Sequence, residues 1–230
     1  MRGLFLVGTD TGAGKTFVTA AVARTLRQQG RPVRVSKPVA TGAERVAGRW
    51  LADDTRLLAE AAGLDEEAAL GEVTPWAFPV PAAPPVAARL AGTALTLDEL
   101  AAAVRRCARP ESLLLVEGVG GLLCPLTETE TVADLARLLG LPLVVVARRS
   151  LGTLNHTLLT VEVARTRGLT VAGVVVSETE PPQGTAAETN VEELRRRLAV
   201  PLLAVVPHGP ADGGAAAVAG VDWWGLGSGG

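Results

Sequence analysis

The sequence predicts an α/β fold: a single domain on a doubly wound, mostly parallel sheet with helices on both faces. Three observations carry that prediction. Short runs rich in Val and Leu alternate along the chain with stretches of helical spacing. The apolar runs are continuous, which implies strands covered on both faces. The length of 230 residues is that of one long domain, with enough chain to bury a core.

The elements follow in order. Residues 4–7 read as the first strand, ended by Gly8. Residues 17–29 have helical spacing at Val18, Ala21, Val22 and Leu26, and Gly30 is the stop signal. Residues 32–36 give the second strand and residues 112–116 the third. Residues 143–147, nearly all valine after Pro142, give the fourth, residues 170–176 the fifth, and residues 202–206, after Pro201, the sixth. Helix starts have capping-box spacing: Thr96 with Glu99 before 100–106, Thr131 with Asp134 before 135–139, and Asn190 with Glu193 before 194–198. Residues 74–85 hold five prolines and read as an ordered extended loop, either a surface excursion or a wall near a site. The catalytic domain is expected over 1–208. Residues 209–230 form a Gly/Ala-rich tail that frays from Gly227 to Gly230. Trp223 and Trp224 in that tail dock either on the body or on a partner subunit.

Composition excludes several classes. Hydrophobic residues make up 48% and charged residues 20%, so disorder throughout is excluded. The net charge of −2 without a long basic run argues against a nucleic-acid or anionic-membrane binder. No apolar run reaches the roughly 18 residues of a membrane span. No signal peptide precedes the first strand, so the expected location is the cytoplasm. Cys107 and Cys124 form no metal pattern with His156 or His208 and are expected to pack. No G-x-S-x-G nucleophile elbow and no Asn-Lys-x-Asp guanine reader occurs.

The strongest motif is Gly8-Thr9-Asp10-Thr11-Gly12-Ala13-Gly14-Lys15-Thr16. It follows a strand and opens a helix, which is the setting of a phosphate loop. Small residues let backbone N–H groups turn inward, and the helix N-terminus adds partial positive charge. Lys15 is placed for the β/γ-phosphates and the Thr16 hydroxyl for Mg²⁺. The spacing is one residue longer than usual. Glu117 ends the third strand before Gly118-Val119-Gly120-Gly121, a position for a Mg²⁺ ligand. Lys37 ends the second strand, where an ammonium could neutralise a phosphoryl group in transfer. Asp53 and Asp54, taken alone, read as charges at a helix start.

Together these residues resemble a known family. The segments 8–16, 37–42 (Lys-Pro-Val-Ala-Thr-Gly), 116–121 and 151–156 (Leu-Gly-Thr-Leu-Asn-His) stand in the order of dethiobiotin synthetases, and the likeness runs from about residue 4 to residue 207. The longer loop is that family's own spacing. The resemblance implies ATP with Mg²⁺, 7,8-diaminononanoate and CO₂ as the small-molecule partners, with neither nucleic acid nor membrane. It implies a homodimer with a substrate site shared across the interface. Lys37, Lys15 and Thr11 would be catalytic. Thr11, Gly12, Ala13, Gly14, Lys15, Thr16, Ser177 and Pro207 would bind the nucleotide. Thr16, Asp54 and Glu117 would gather Mg²⁺. Thr11, Lys37, Thr41 and Gly118 would meet the diamine or its carbamate. Thr153, Leu154 and Asn155 at a helix start would hold the substrate carboxylate of the partner subunit.

One departure stands out. Family members that select adenine often carry Asn-Asp after the fifth strand; this chain has Ser177-Glu178. A hydroxyl cannot offer the paired donor and acceptor of an amide, so other nucleoside triphosphates are expected to serve as well. Three alternatives compete. A cobyrinate diamide synthetase-like ligase needs a glutaminase domain for which the chain has no room. A partition- or assembly-type ATPase switch usually has an extra lysine early in the loop, where Thr9 and Asp10 stand here. A pure binding module would not need Lys37, Asp54 and Glu117 near the loop.

Overall fold

The computed structural model describes residues 1–46, 48–65, 69–209 and 212–228. In chain order the strands are β1 (Gly3–Gly8), β2 (Val33–Ser36), β3 (Val39–Thr41), β4 (Glu44–Val46), β5 (Arg49–Leu51), β6 (Trp76–Phe78), β7 (Leu113–Gly121), β8 (Leu143–Arg148), β9 (Val171–Ser177) and β10 (Leu202–Val206). The helices are α1 (Lys15–Gln28), α2 (Asp53–Ala62), α3 (Pro84–Leu90), α4 (Leu97–Cys107), α5 (Val132–Leu139), α6 (Thr153–Thr166), α7 (Gly184–Arg197), α8 (Ala215–Val218) and α9 (Trp223–Leu226), with a short π-helix at Ala69–Val73.

The six strands expected from the sequence form one sheet in the order β10-β9-β8-β1-β7-β2. Every pairing in it is parallel. Continuous apolar runs serve it because side chains alternate between two cores. Leu4 and Leu6 of β1 face α1, together with Leu113 and Leu115 of β7 and Val144 and Val146 of β8. Phe5, Val7, Leu114, Val116 and Val145 face the opposite way, against α4 and α5. The chain passes from β1 through α1 to β2, and β7 later inserts between those two strands. The carboxyl ends of β1, β7 and β2 therefore open on one crevice, where such sheets bind ligands.

Three expectations are modified. The helix placed over 194–198 begins at Gly184, and Asn190 is not its cap. Asn190 is buried within the helix, and its side-chain amide donates to the Ser150 carbonyl at 3.0 Å. The proline-rich stretch holds β6, which pairs with β3, and the first turn of α3, where Pro84 and Pro85 suit a position that needs no N–H donor. The tail holds α8 and α9, and Trp223 docks on the body, 1% exposed in the α1-side core. Its indole N–H donates to the Val218 carbonyl at 2.8 Å. Trp224 lies beneath the guanidinium groups of both Arg2 and Arg31. The N–H of Gly3 donates to the Gly227 carbonyl at 2.9 Å, so the tail borders the first strand. Gly229 and Gly230, expected to fray, lie outside the described residues. Among the described residues, no helix is long and apolar enough to cross a membrane.

Candidate active site

The site begins where β1 ends. Residues 9–14 turn back over the sheet and hand over to α1. Gly14, at φ +87°, is the residue before α1, and a Cβ there would overlap the Ser177 hydroxyl. The first turn of α1 carries no acid and no side-chain cap, so its N–H groups are open to an anion. The loop braces itself internally: the Thr11 N–H donates to Asp10 Oδ1 at 2.7 Å, and Lys15 Nζ donates to the Asp10 carbonyl at 3.4 Å. Burial pulls the Lys15 ammonium below its ordinary pKa, and Glu117 opposes that without overcoming it.

Four side chains meet beside the loop. Lys37 follows β2 and is 4% exposed. Its ammonium donates to Glu117 Oε1 at 2.8 Å and pairs with Asp54 Oδ2. The Thr16 hydroxyl donates to the same Glu117 Oε1 at 2.7 Å. Burial alone would lower the Lys37 pKa, but Glu117 and then Asp54 outweigh it, so the group titrates above its usual value. Burial pushes Asp54 upward, and Lys37 together with the Thr16 hydroxyl pulls it below the ordinary carboxylate value. The fold explains this convergence. Glu117 is the last residue of β7 in plain register with β1, opposite Leu6, before the register shifts. Asp54 lies in the first turn of α2.

This donor set fits a magnesium ion. Glu117 Oε2 is buried without a hydrogen-bond partner among the described residues, next to the Thr16 hydroxyl. Among those residues no three His, Cys, Asp or Glu side chains cluster as a cage. Mg²⁺ needs none: it keeps waters and phosphate oxygens and takes one or two carboxylates.

A cleft of about 460 Å³ collects half of the expected residues: Thr11, Gly12, Gly14, Lys15, Thr16, Lys37, Thr41 and Asp54. Sequence reasoning missed Phe17, Leu57 and Val119 in its wall. Phe17 could have been found, since it directly follows the loop. A second hollow of about 370 Å³ adjoins it at Thr11 and Gly120 and runs toward Leu159 and Val163 of α6. Other expected residues lie off the cleft wall. Ala13 is buried within the loop itself. Gly118 is packed into the body: a Cβ there would meet Val132 and Phe5, and Val119 and Gly120 form the wall instead. Ser177 is 2% exposed, with its hydroxyl under Gly14. Pro207 follows β10 and is exposed. Thr153 starts α6 and is buried, and Asn155 lines a separate groove with Leu158 and Arg197.

A parallel sheet, a glycine loop at the first strand's carboxyl end and a lysine–threonine pair opening α1 define a P-loop nucleotide-binding protein. A family model described as an AAA domain matches residues 2–213. Solved structures share the fold at low identity. The ParA family ATPase of Chlorobium tepidum matches with a TM-score of 0.58 and 13% identity, over 97% of this chain and 99% of that one. The cell division protein FtsY of Thermotoga maritima matches with a TM-score of 0.54 and 17% identity, over 92% of this chain and 63% of that one. Closer relatives are ATP-dependent dethiobiotin synthetases. That of Aromatoleum aromaticum is 42% identical over 90% of this chain and 91% of its own. That of Anaeromyxobacter dehalogenans strain 2CP-C is 44% identical over 91% and 92%, and that of Bacillus subtilis strain 168 is 37% identical over 90% and 87%. The chain belongs to the dethiobiotin synthetase family, ATP-dependent ligases that form carbon–nitrogen bonds.

Proposed function

We propose that this chain closes the ureido ring of dethiobiotin in biotin synthesis, from 7,8-diaminononanoate, CO₂ and ATP. One amine attacks CO₂ and loses a proton, giving a carbamate. A carbamate oxygen attacks the γ-phosphorus, and ADP departs. The second amine attacks the carbonyl of this carbamic–phosphoric anhydride, expels phosphate and loses a proton as the ring closes.

Phosphoryl transfer needs positioning and charge neutralisation more than covalent help. Lys15 and the N–H groups of residues 11–16 hold the phosphates. Lys37, kept charged by its two carboxylates, bridges carbamate and γ-phosphate as negative charge passes between them. Thr11 and Thr41 hydrogen-bond the diamine or carbamate. Thr16, Asp54 and Glu117 hold Mg²⁺, which when bound offsets phosphate charge. The N-terminus of α6, at Thr153, Leu154 and Asn155, receives the substrate carboxylate of the partner subunit in a cytoplasmic homodimer.

The observation that carries this reading is Lys37 itself. A phosphate loop serves hydrolysis and transfer alike. A second buried ammonium, brought from another strand and facing the same cleft, suits transfer to an anionic acceptor. The test is product mass and phosphate release with diamine, bicarbonate, Mg²⁺ and ATP, beside Lys37→Ala. The dethiobiotin mass, one phosphate per product and loss of both in the variant are expected. ATP hydrolysis indifferent to the diamine, with no ureido product, overturns the reading in favour of a switch ATPase.

Base selection belongs to the same proposal. The Ser177 hydroxyl is turned under Gly14, and nothing in its chemistry replaces an amide. Turnover with more than one nucleoside triphosphate is therefore expected. A large ATP-over-CTP preference in a nucleotide panel would sink that expectation.

A further inference from the structure

Away from the cleft, one ion pair ties the ends of three neighbouring strands. Arg149 directly follows β8 and Glu178 directly follows β9, and the residues before them, Arg148 and Ser177, are register partners. The Arg149 guanidinium pairs with Glu178 Oε1, and its Nε–H donates to the Ala187 carbonyl in α7 at 2.7 Å. Glu178 Oε2 accepts the backbone N–H of His208, just beyond β10, at 3.3 Å. The two side chains are only 19% and 10% exposed. The pair therefore escapes most of the solvent screening that weakens surface ion pairs.

Each partner continues into a part of the site. Ser177, next to Glu178, lies under Gly14 of the phosphate loop. His208 follows Pro207. On the other side, Ser150 follows Arg149, and its carbonyl accepts both the Asn190 side-chain amide at 3.0 Å and the Thr153 N–H that opens α6 at 3.1 Å. The pair thus stands between the wall behind the phosphate loop and the start of α6.

We propose that Arg149 and Glu178 are positioning residues for both ends of the reaction. They fix Ser177 beneath the phosphate loop and, through Ser150, the helix start that receives the diamine's carboxylate. The second half rests on the function proposed above; the first does not. Glu178 commits each of its two oxygens to a donor on a different element. A neutral amide in its place can accept from only one of them and turns its NH₂ against the other donor.

Calorimetric titration with Mg-ATP and steady-state kinetics with the diamine test this in Glu178→Gln and Glu178→Asp. In Glu178→Gln the ATP dissociation constant and the diamine KM should each rise about tenfold, as Ser177 beneath the loop and the start of α6 lose their fixed positions. The thermal midpoint should fall, because an ion pair of low exposure loses one charge, while kcat should move little. Glu178→Asp keeps both acceptor oxygens and should recover part of the affinity. Unchanged constants in Glu178→Gln, or a loss confined to kcat and the thermal midpoint, overturn the proposal. A wild type that binds ATP but forms no product defeats the function reading and the α6 half; the ATP titration then decides the remaining half by itself.

Discussion

At Gly14 two constraints act on one atom. The left-handed backbone, at φ +87°, disfavours any L side chain, and the Ser177 hydroxyl fills the space a Cβ would take. Gly14→Ala should therefore weaken Mg-ATP binding at least about tenfold, since strain of about 1–2 kcal/mol from the backbone adds to the overlap. Ser177→Gly in the same chain should restore only part of that loss, because it removes the overlap and leaves the dihedral. Titration of both variants with Mg-ATP measures the two shares. The motifs at this scale were legible because chemistry and spacing coincide: Lys37 and the loop each follow a strand that the apolar pattern marks, and Glu117 comes at the end of such a run, inside β7. Orientation was not legible. That Ser177 turns beneath the loop, and that Gly118 is small to admit Phe5 and Val132, depends on packing between elements far apart in sequence. The pairing of Arg149 with Glu178 was within reach, since both directly follow strands that the sequence identifies.

Helix ends give the next scale its predictions. In α5 the Thr131 backbone N–H and hydroxyl both donate to Asp134 Oδ2, at 2.9 and 2.7 Å. Burial pushes the Asp134 carboxyl up, but these Thr131 donors and then Arg167 and Arg137 hold it below its ordinary value of 3.8. Asp134→Ala should destabilise the protein by about 1 kcal/mol at neutral pH, as for a lost cap. The carboxylate's contribution is complete above the unfolded value of 3.8. It disappears as pH falls through the lower folded value. Urea unfolding of wild type and variant should thus show a constant gap at neutral pH that closes in acid. This capping box was read correctly from two residues. The same pattern misled at Asn190 and Glu193, where the amide serves the Ser150 carbonyl from inside a helix. A capping pattern reports local preference, and a buried hydrogen bond to a distant loop overrides it. The strands β3 and β6 and the helix α3 escaped notice for a related reason. They are short, and prolines around them hide any periodicity.

For the molecule as a whole, the sheet was legible and the tail was not. Six apolar runs and one loop suffice to mark a doubly wound fold; the strand order comes from the structure. Glycine and alanine in 209–230 carry no period, yet Trp223 fills the core beside α1. Trp223→Ala should cost about 3–5 kcal/mol, in the range of large aromatic truncations. Trp223→Phe should cost less, losing chiefly the indole bond to the Val218 carbonyl. Chemical denaturation orders the two, and equal losses would mean that volume contributes nothing. Helix α8 adds a second attachment, because its Ala215 carbonyl accepts the Thr25 hydroxyl of α1 at 3.0 Å.

The hydrogen bond from Gly3 to Gly227 carries a consequence for synthesis. The strand β1 is made long before the residues that accept its Gly3 N–H and back its core. Helix α1 covers the face of Leu4 and Leu6 early, but the core beside α1 keeps a hollow until Trp223 is made, and a product cut short before Trp223 never fills it. The tail thus completes, late in synthesis, the core that backs the strand carrying the phosphate loop.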